Sequence, residues 1–321
     1  MTKFGYYASH EQFKPSQLLQ YVQAAQDAGF TAALSSDHFH PWNEQQGQSG
    51  FAWSWLGAAM QATSLSFGVV CAPGQRYHPA IIAQAAATLA EMFPNRFWVA
   101  LGSGQALNER ITGEHWPSKA ERNARLKECV EVMRALWAGE TVTHQGQVRV
   151  QEAKLYTRPE TLPRIMGAAI TPQTAEWVGG WADGLITISH PYEKLVKVVE
   201  AFRRGGGEGK PMALKVQLSY HSDEALAWAG AHEQWRTNIF ENIMLAELST
   251  PKQFEAAATF VKPKDLDGFV RISADPKQHL EWLQKDVELG FGDIILHNVN
   301  REQQGFIETF GEKVLPALAQ D

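Results

Sequence analysis

The chain has 321 residues, a formal net charge of −6 at pH 7 and 44% apolar residues, enough to bury a large core as one α/β barrel or as two smaller domains. Its acidity is spread along the chain and no lysine and arginine cluster is dense enough to track a phosphodiester backbone, which argues against a nucleic-acid partner. No segment approaches the ~18 consecutive apolar residues of a membrane helix, and the first residues enter strand-like sequence without a charged-then-apolar leader, so a cytoplasmic protein with no membrane partner is expected.

In chain order, strand-like runs alternate with amphipathic helical patterns. Strands over residues 4–8, 32–36, 67–72 and 97–101 are followed by helices over 15–28, 53–62, 79–93 and 119–137. The second half continues with strands at 164–168, 184–189, 212–220 and 293–297, and helices at 172–179, 192–203, 224–247, 251–260, 275–289 and 301–318. Eight strands, each followed by helical sequence, predict a single (β/α)8 TIM-barrel domain over residues 1–321. Residues 141–163, which turn at His144-Gln145-Gly146-Gln147, read as an inserted hairpin. The helical stretch over 224–261 exceeds what one crossover needs and reads as a lid or a dimerisation element, so a homodimer is expected. Cys71 and Cys129 sit in apolar and helical patterns and read as buried free thiols.

Barrel chemistry sits at the C-terminal ends of strands. After strand four, Gly102-Ser103-Gly104 leads into Gln105-Ala106-Leu107-Asn108-Glu109; two residues without Cβ atoms and outward N–H groups suit a phosphate or a flat ring, although such turns also serve as plain connections. After strand two, Ser36-Asp37-His38-Phe39-His40-Pro41-Trp42 brings together acid, imidazoles and indole. Asp37 beside His38 forms either a proton-handling unit or a polar tie in a loop. Glu11, past strand one, is a second proton-handling candidate or an exposed carboxylate. Trp42 either walls a planar ligand or belongs to the core. Val69, Val70 and Cys71 either press on a ring or form ordinary strand. Ala168-Ala169-Ile170 offers amides to a phosphate, unless Thr171 is simply a helix cap. Arg76 and Tyr77 belong to the cavity rim or to the surface. His38 and His40 also read as half of a metal site, with His78, His190 and His297 as candidates for the rest although none comes in a ligand-like pair; a metal-dependent barrel hydrolase is thus the alternative from another class.

Together, Tyr7-Ala8-Ser9-His10-Glu11-Gln12-Phe13, the Ser36 to Trp42 segment, Arg76-Tyr77-His78-Pro79-Ala80, the Gly102 to Glu109 segment and Arg134-Ala135-Leu136-Trp137 resemble the luciferase-like flavin and deazaflavin oxidoreductase family. The resemblance is to its branch of coenzyme F420-dependent glucose-6-phosphate dehydrogenases. It implies a tricyclic ring at the barrel mouth, a cis peptide at Val69-Val70, and His38 as the residue that takes a substrate proton with Glu11 and Trp42 beside it. Asn108 and Gly102-Ser103-Gly104 resemble the cofactor cradle. Two departures stand out: those dehydrogenases carry a glutamate at the catalytic position of Gln105, and an amide is no general acid; and Pro191 and Ala256 stand where lysines for a sugar phosphate would be sought. The chain is still more similar to a subgroup that uses FMN. The expectation is an FMN-dependent oxidoreductase working by hydride transfer or as a monooxygenase on a small-molecule substrate, with a flavin reductase as partner. The alternative is an F420-dependent dehydrogenase or reductase acting on an alcohol or sugar-like substrate other than glucose 6-phosphate. The lost acid at Gln105 also admits a flavin-binding protein without catalysis.

Overall fold

The computed structural model describes residues 2–319. Eight parallel strands close a barrel in the order β1 (Lys3–Ala8), β2 (Ala32–Ser36), β3 (Ser66–Cys71), β4 (Phe97–Leu101), β7 (Arg164–Ala168), β8 (Gly184–Ile188), β9 (Met212–Ser219) and β11 (Asp293–Asn298), with β11 returning to β1. Such strands are covered on both faces, which is why they read as continuous apolar runs; β2 and β4 are buried at every position. Side chains alternate along each strand. Tyr7, Leu34, Trp98, Ala100, Met166, Ile186, Ala213 and Ile295 fill the interior, while the alternate positions meet the helices outside. Gly68 makes room for this filling, because a Cβ there would run into the Trp98 indole. Gly68→Ala is expected to cost about 1–3 kcal/mol as overpacking, read as a lower urea midpoint with unchanged slope.

The helices begin where the sequence supplies caps. α5 (Lys119–Ala138) starts at a Ser118/Glu121 capping box, and α6 (Pro172–Gly179) at Thr171, whose hydroxyl accepts from Thr174 N–H. The insert is the expected hairpin, β5 (Val142–Gln145) against β6 (Arg149–Ala153). It is moored where Glu128 of α5 lies 2.9 Å from His144 Nε2.

Three expectations change. The helix foreseen over 224–247 is broken into α8 (Glu224–Trp235), a tight turn at Arg236–Asn238, and α9 (Asn242–Glu247), followed by α10 (Pro251–Ala257). The break has a cause: the Gln234 carbonyl accepts from Gln46 Nε2 at 3.1 Å, and Asn43 Nδ2 donates to Thr237 Oγ1 at 3.1 Å. The loop after β2 thus takes over groups that a continuing helix would use. A short strand, β10 (Arg271–Ile272), extends the sheet beside β9 and was not foreseen. Finally, no described peptide bond is cis. Val69 and Val70 lie in an unbroken ladder, paired with Ser35 and Ser36 on one side and Val99 and Ala100 on the other, so regular trans strand stands where the cis peptide was expected. Among the described residues no helix is long and apolar enough to cross a membrane, and both cysteines are free and buried.

Candidate active site

The loops beyond β1 to β4 and β7 to β9 enclose a cavity of about 860 Å³. Its most organised feature is a carboxylate–imidazole contact. His38 Nδ1 lies 2.9 Å from Glu11 Oε1, and Glu11 Oε2 accepts from Ser36 Oγ at 2.6 Å and Ser9 Oγ at 3.1 Å. Burial by itself raises the Glu11 carboxyl, but the charge and hydrogen bond of His38 and the hydroxyl of Ser36 outweigh it and hold the group far below the ordinary carboxylate range. The stabilisation from this carboxylate is therefore complete above its unfolded value and is lost only as pH falls through the depressed one. An ionised Glu11 at this distance favours the His38 tautomer protonated at Nδ1, which leaves Nε2 of the neutral imidazole as the free acceptor. Behind the pair His10 is buried edge-on to Trp55, and burial pushes it down to about 4, so it stays neutral near pH 7.

Asp37, adjacent to His38 in sequence, does not orient it. Its Oδ1 accepts from Tyr77 Oη at 3.0 Å and its Oδ2 from Trp53 Nε1 at 3.3 Å, while Arg76 reaches its carbonyl at 2.8 Å. Arg76 also binds Glu109, through its backbone N–H at 3.0 Å and its Nε at 3.4 Å. Of the two carboxylates it is therefore Glu11 that faces His38, and Asp37 belongs to a buried framework around Arg76. Asn108 Oδ1 fixes the intervening loop by accepting from the N–H groups of Phe39 and His40.

Trp42 is both wall and core: its indole stands edge-to-face with His38 at 5.2 Å and with Phe254 of α10 at 5.3 Å. Val70 and Cys71 line the cavity with Gly102, Ser103, Gly104, Gln105, Asn108, Ala168, Ala169 and Ile170. Val69 does not, because strand alternation turns it into the helix-facing core. Gly104 has φ +80°, and a Cβ there would crowd Glu109 Cγ at 2.9 Å, so the turn is reserved for glycine. Beside it Lys119 Nζ donates to Ser103 Oγ at 2.7 Å, and Arg122 pairs with Glu247 of α9 at 3.0 Å. α9 therefore covers one side of the mouth. For the metal reading, His38 Nδ1 faces Glu11 and His40 Nδ1 lies 2.8 Å from the Leu107 carbonyl, so each ring has only Nε2 to offer and a metal would need further ligands. Among the described residues no three His, Cys, Asp or Glu side chains group to hold a metal.

On the opposite wall His297, considered from sequence only as a metal ligand, faces the cavity with Lys215, Gln217 and Trp235, which sequence reasoning missed. Lys215 and Gln217 alternate inward on β9, a signal that the period-2 pattern carries once the strand is placed.

Fold and site together set a carboxylate–imidazole pair into a cavity at the C-terminal mouth of a (β/α)8 barrel. The luciferase-like monooxygenase family model matches residues 1–293, and the chain belongs to this family of oxidoreductases. It is 34% identical over 335 residues to an F420-dependent glucose-6-phosphate dehydrogenase of Microbacterium testaceum, covering 98% of this chain and 97% of that protein. It is 33% identical over 329 residues to the protein so named in Mycobacterium tuberculosis, covering 98% of each. Among solved structures, an F420-dependent secondary alcohol dehydrogenase in complex with an F420–acetone adduct matches with a TM-score of 0.90 and 30% identity over 99% of both chains. The coenzyme F420-dependent tetrahydromethanopterin reductase from Methanopyrus kandleri shares the fold, with a TM-score of 0.80 and 19% identity over 98% of this chain and 99% of that one.

Proposed function

We propose that this enzyme is an F420-dependent oxidoreductase that interconverts an alcohol and a carbonyl compound, with a substrate other than glucose 6-phosphate. The similarity to F420-dependent dehydrogenases moves the balance from FMN to the deazaflavin. The observation that carries the chemistry is the 2.9 Å Glu11–His38 pair. The cavity fits the cofactor: side-chain-free turns at Gly102 and Gly104 admit close backbone approach, Val70 offers an apolar face, and Lys119 supplies a cation for an anionic tail. When bound, F420 supplies a ring that accepts or gives a hydride.

The protein's own part is proton handling and orientation. His38 Nε2 accepts the hydroxyl proton in the oxidising direction, Glu11 stabilises the resulting imidazolium, and the edge of Trp42 restrains the imidazole. Gln105 carries no titratable proton, so acid catalysis from that position is absent. Glucose 6-phosphate is disfavoured because Pro191 caps α7 (Tyr192–Phe202) and Ala256 lies in α10, where lysines would be sought. The reduced thiols fit action in the cytoplasm, and the helical segment around α9 is the natural element for a homodimer. The test is oxidation of small secondary alcohols with F420 or FMN as sole acceptor. Turnover with F420 and none with FMN is expected; the reverse restores the FMN reading and its reductase partner.

A further inference from the structure

Counting charges around the cavity isolates one residue. Glu11 pairs with His38, Asp37 and Glu109 share Arg76, and Glu247 holds Arg122. Two lining cations among the described residues have no carboxylate partner, Lys119 and Lys215. Lys119 sits at the glycine turn, with Ser103. Lys215 lies on the opposite wall, its Nζ over the rings of Tyr7 at 4.2 Å and Trp235 at 5.0 Å. Aromatic faces hold an ammonium in place but accept none of its hydrogen bonds fully, so its donors remain for a ligand.

The groups facing Lys215 come from three elements. Tyr7 and Glu11 stand on and after β1, His297 on β11, and Trp235 at the end of α8. Gln12 Nε2 donates to Gln234 Oε1 and to the Val299 carbonyl, so its Oε1 accepts from His297 Nε2–H at 2.9 Å, and His297 presents a lone pair at Nδ1. Burial and the nearby lysine hold His297 far below its ordinary value, which keeps it neutral. Among the described residues the only carboxylate that acts on Lys215 is Glu11, already facing His38.

We infer that Lys215 is the binding residue for a carboxylate on the substrate, so that the enzyme acts on hydroxy acids or oxo acids. The inference rests on the proposed oxidoreductase activity and names its substrate class. A monoanion suits the site better than a phosphate, since one ammonium without an arginine or an amide cluster beside it does not neutralise a dianion. With the acid group on Lys215, the hydroxyl proton goes to His38 and the carbinol hydride to the bound cofactor, leaving the oxo acid and the reduced cofactor.

Burial pushes the Lys215 ammonium down to about 8 against a smaller upward pull from Glu11. The seat for an anion is therefore present below about pH 8 and is lost as pH rises through it. The test is calorimetric titration of the cofactor-loaded protein with 2-hydroxybutanoate, butan-2-ol and butyl phosphate, after cofactor loading is verified by absorbance. The acid is expected to bind at least about tenfold more tightly than the alcohol, and its dissociation constant to rise about tenfold per pH unit above pH 8. Lys215→Met should abolish the preference and Lys215→Arg keep it. Because burial disfavours the charged lysine, the Met variant should fold at least as stably as the parent, which a melting curve checks. Equal binding of acid and alcohol, an acid preference that survives in Lys215→Met, or stronger binding of the phosphate ester overturns the inference. Failure to take up F420 overturns the cofactor reading instead.

Discussion

Replacing His38 with alanine lowers kcat for alcohol oxidation by about 10²- to 10⁴-fold while cofactor affinity stays within a few fold of the parent value. The magnitude is that of a positioned general base, because Nδ1 is committed to Glu11 and only Nε2 is available to the substrate. The fold should survive: the His38 side chain keeps 19% of its surface exposed and is not part of the framework that ties Asp37, Arg76 and Glu109 together. Steady-state kinetics with a melting curve separate the two effects. Turnover within threefold of the parent enzyme would remove His38 from the proton transfer.

Arg76→Met unfolds the protein more easily by about 3–5 kcal/mol, the cost of stranding buried carboxylates without their cation. Arg76, Asp37 and Glu109 side chains retain 7%, 1% and 3% of their exposure, so water cannot replace the guanidinium. Even with Arg76 in place, burial raises both carboxyls above the ordinary range. Their ionisation therefore costs stability as pH rises through that range and returns it as pH falls, opposite in sign to Glu11. Urea unfolding at neutral pH measures the loss, which should shrink in mild acid as the stranded carboxyls protonate. A change below about 1 kcal/mol would show that the cation does not hold the two loops together.

The barrel was legible because strands covered on both faces leave apolar runs that helical periodicity interrupts, and the glycine and histidine segments fall at the ends of those runs. Glu11 and His38 were found by the same placement. Their pairing came only from the family resemblance, which sets Glu11 beside His38; adjacency suggested Asp37, whereas the strand end sends that carboxylate toward Tyr77 and Trp53. The broken helix after residue 235 was hidden because its cause lies in Asn43 and Gln46, about 190 residues away in the chain. Lys215 was invisible for a similar reason: a lone lysine in Met-Ala-Leu-Lys-Val-Gln-Leu-Ser gains its meaning only when barrel closure sets it over Tyr7 and Trp235. Val69 was misplaced by one step of the strand's alternation.

The central claim, that the barrel mouth holds a deazaflavin ring against Val70 and the glycine turn, is tested most directly by an absorbance titration of F420 with the parent protein and with Ala168→Trp. That substitution fills the cavity wall opposite Gly102, where a Cβ at Gly102 would already stand 3.6 Å from Ala168 Cβ. One F420 per chain in the parent, weaker binding of FMN, and loss of both in a folded Ala168→Trp variant is the predicted result. Saturable F420 binding that persists undiminished in that variant, or no F420 binding by the parent, would contradict the account.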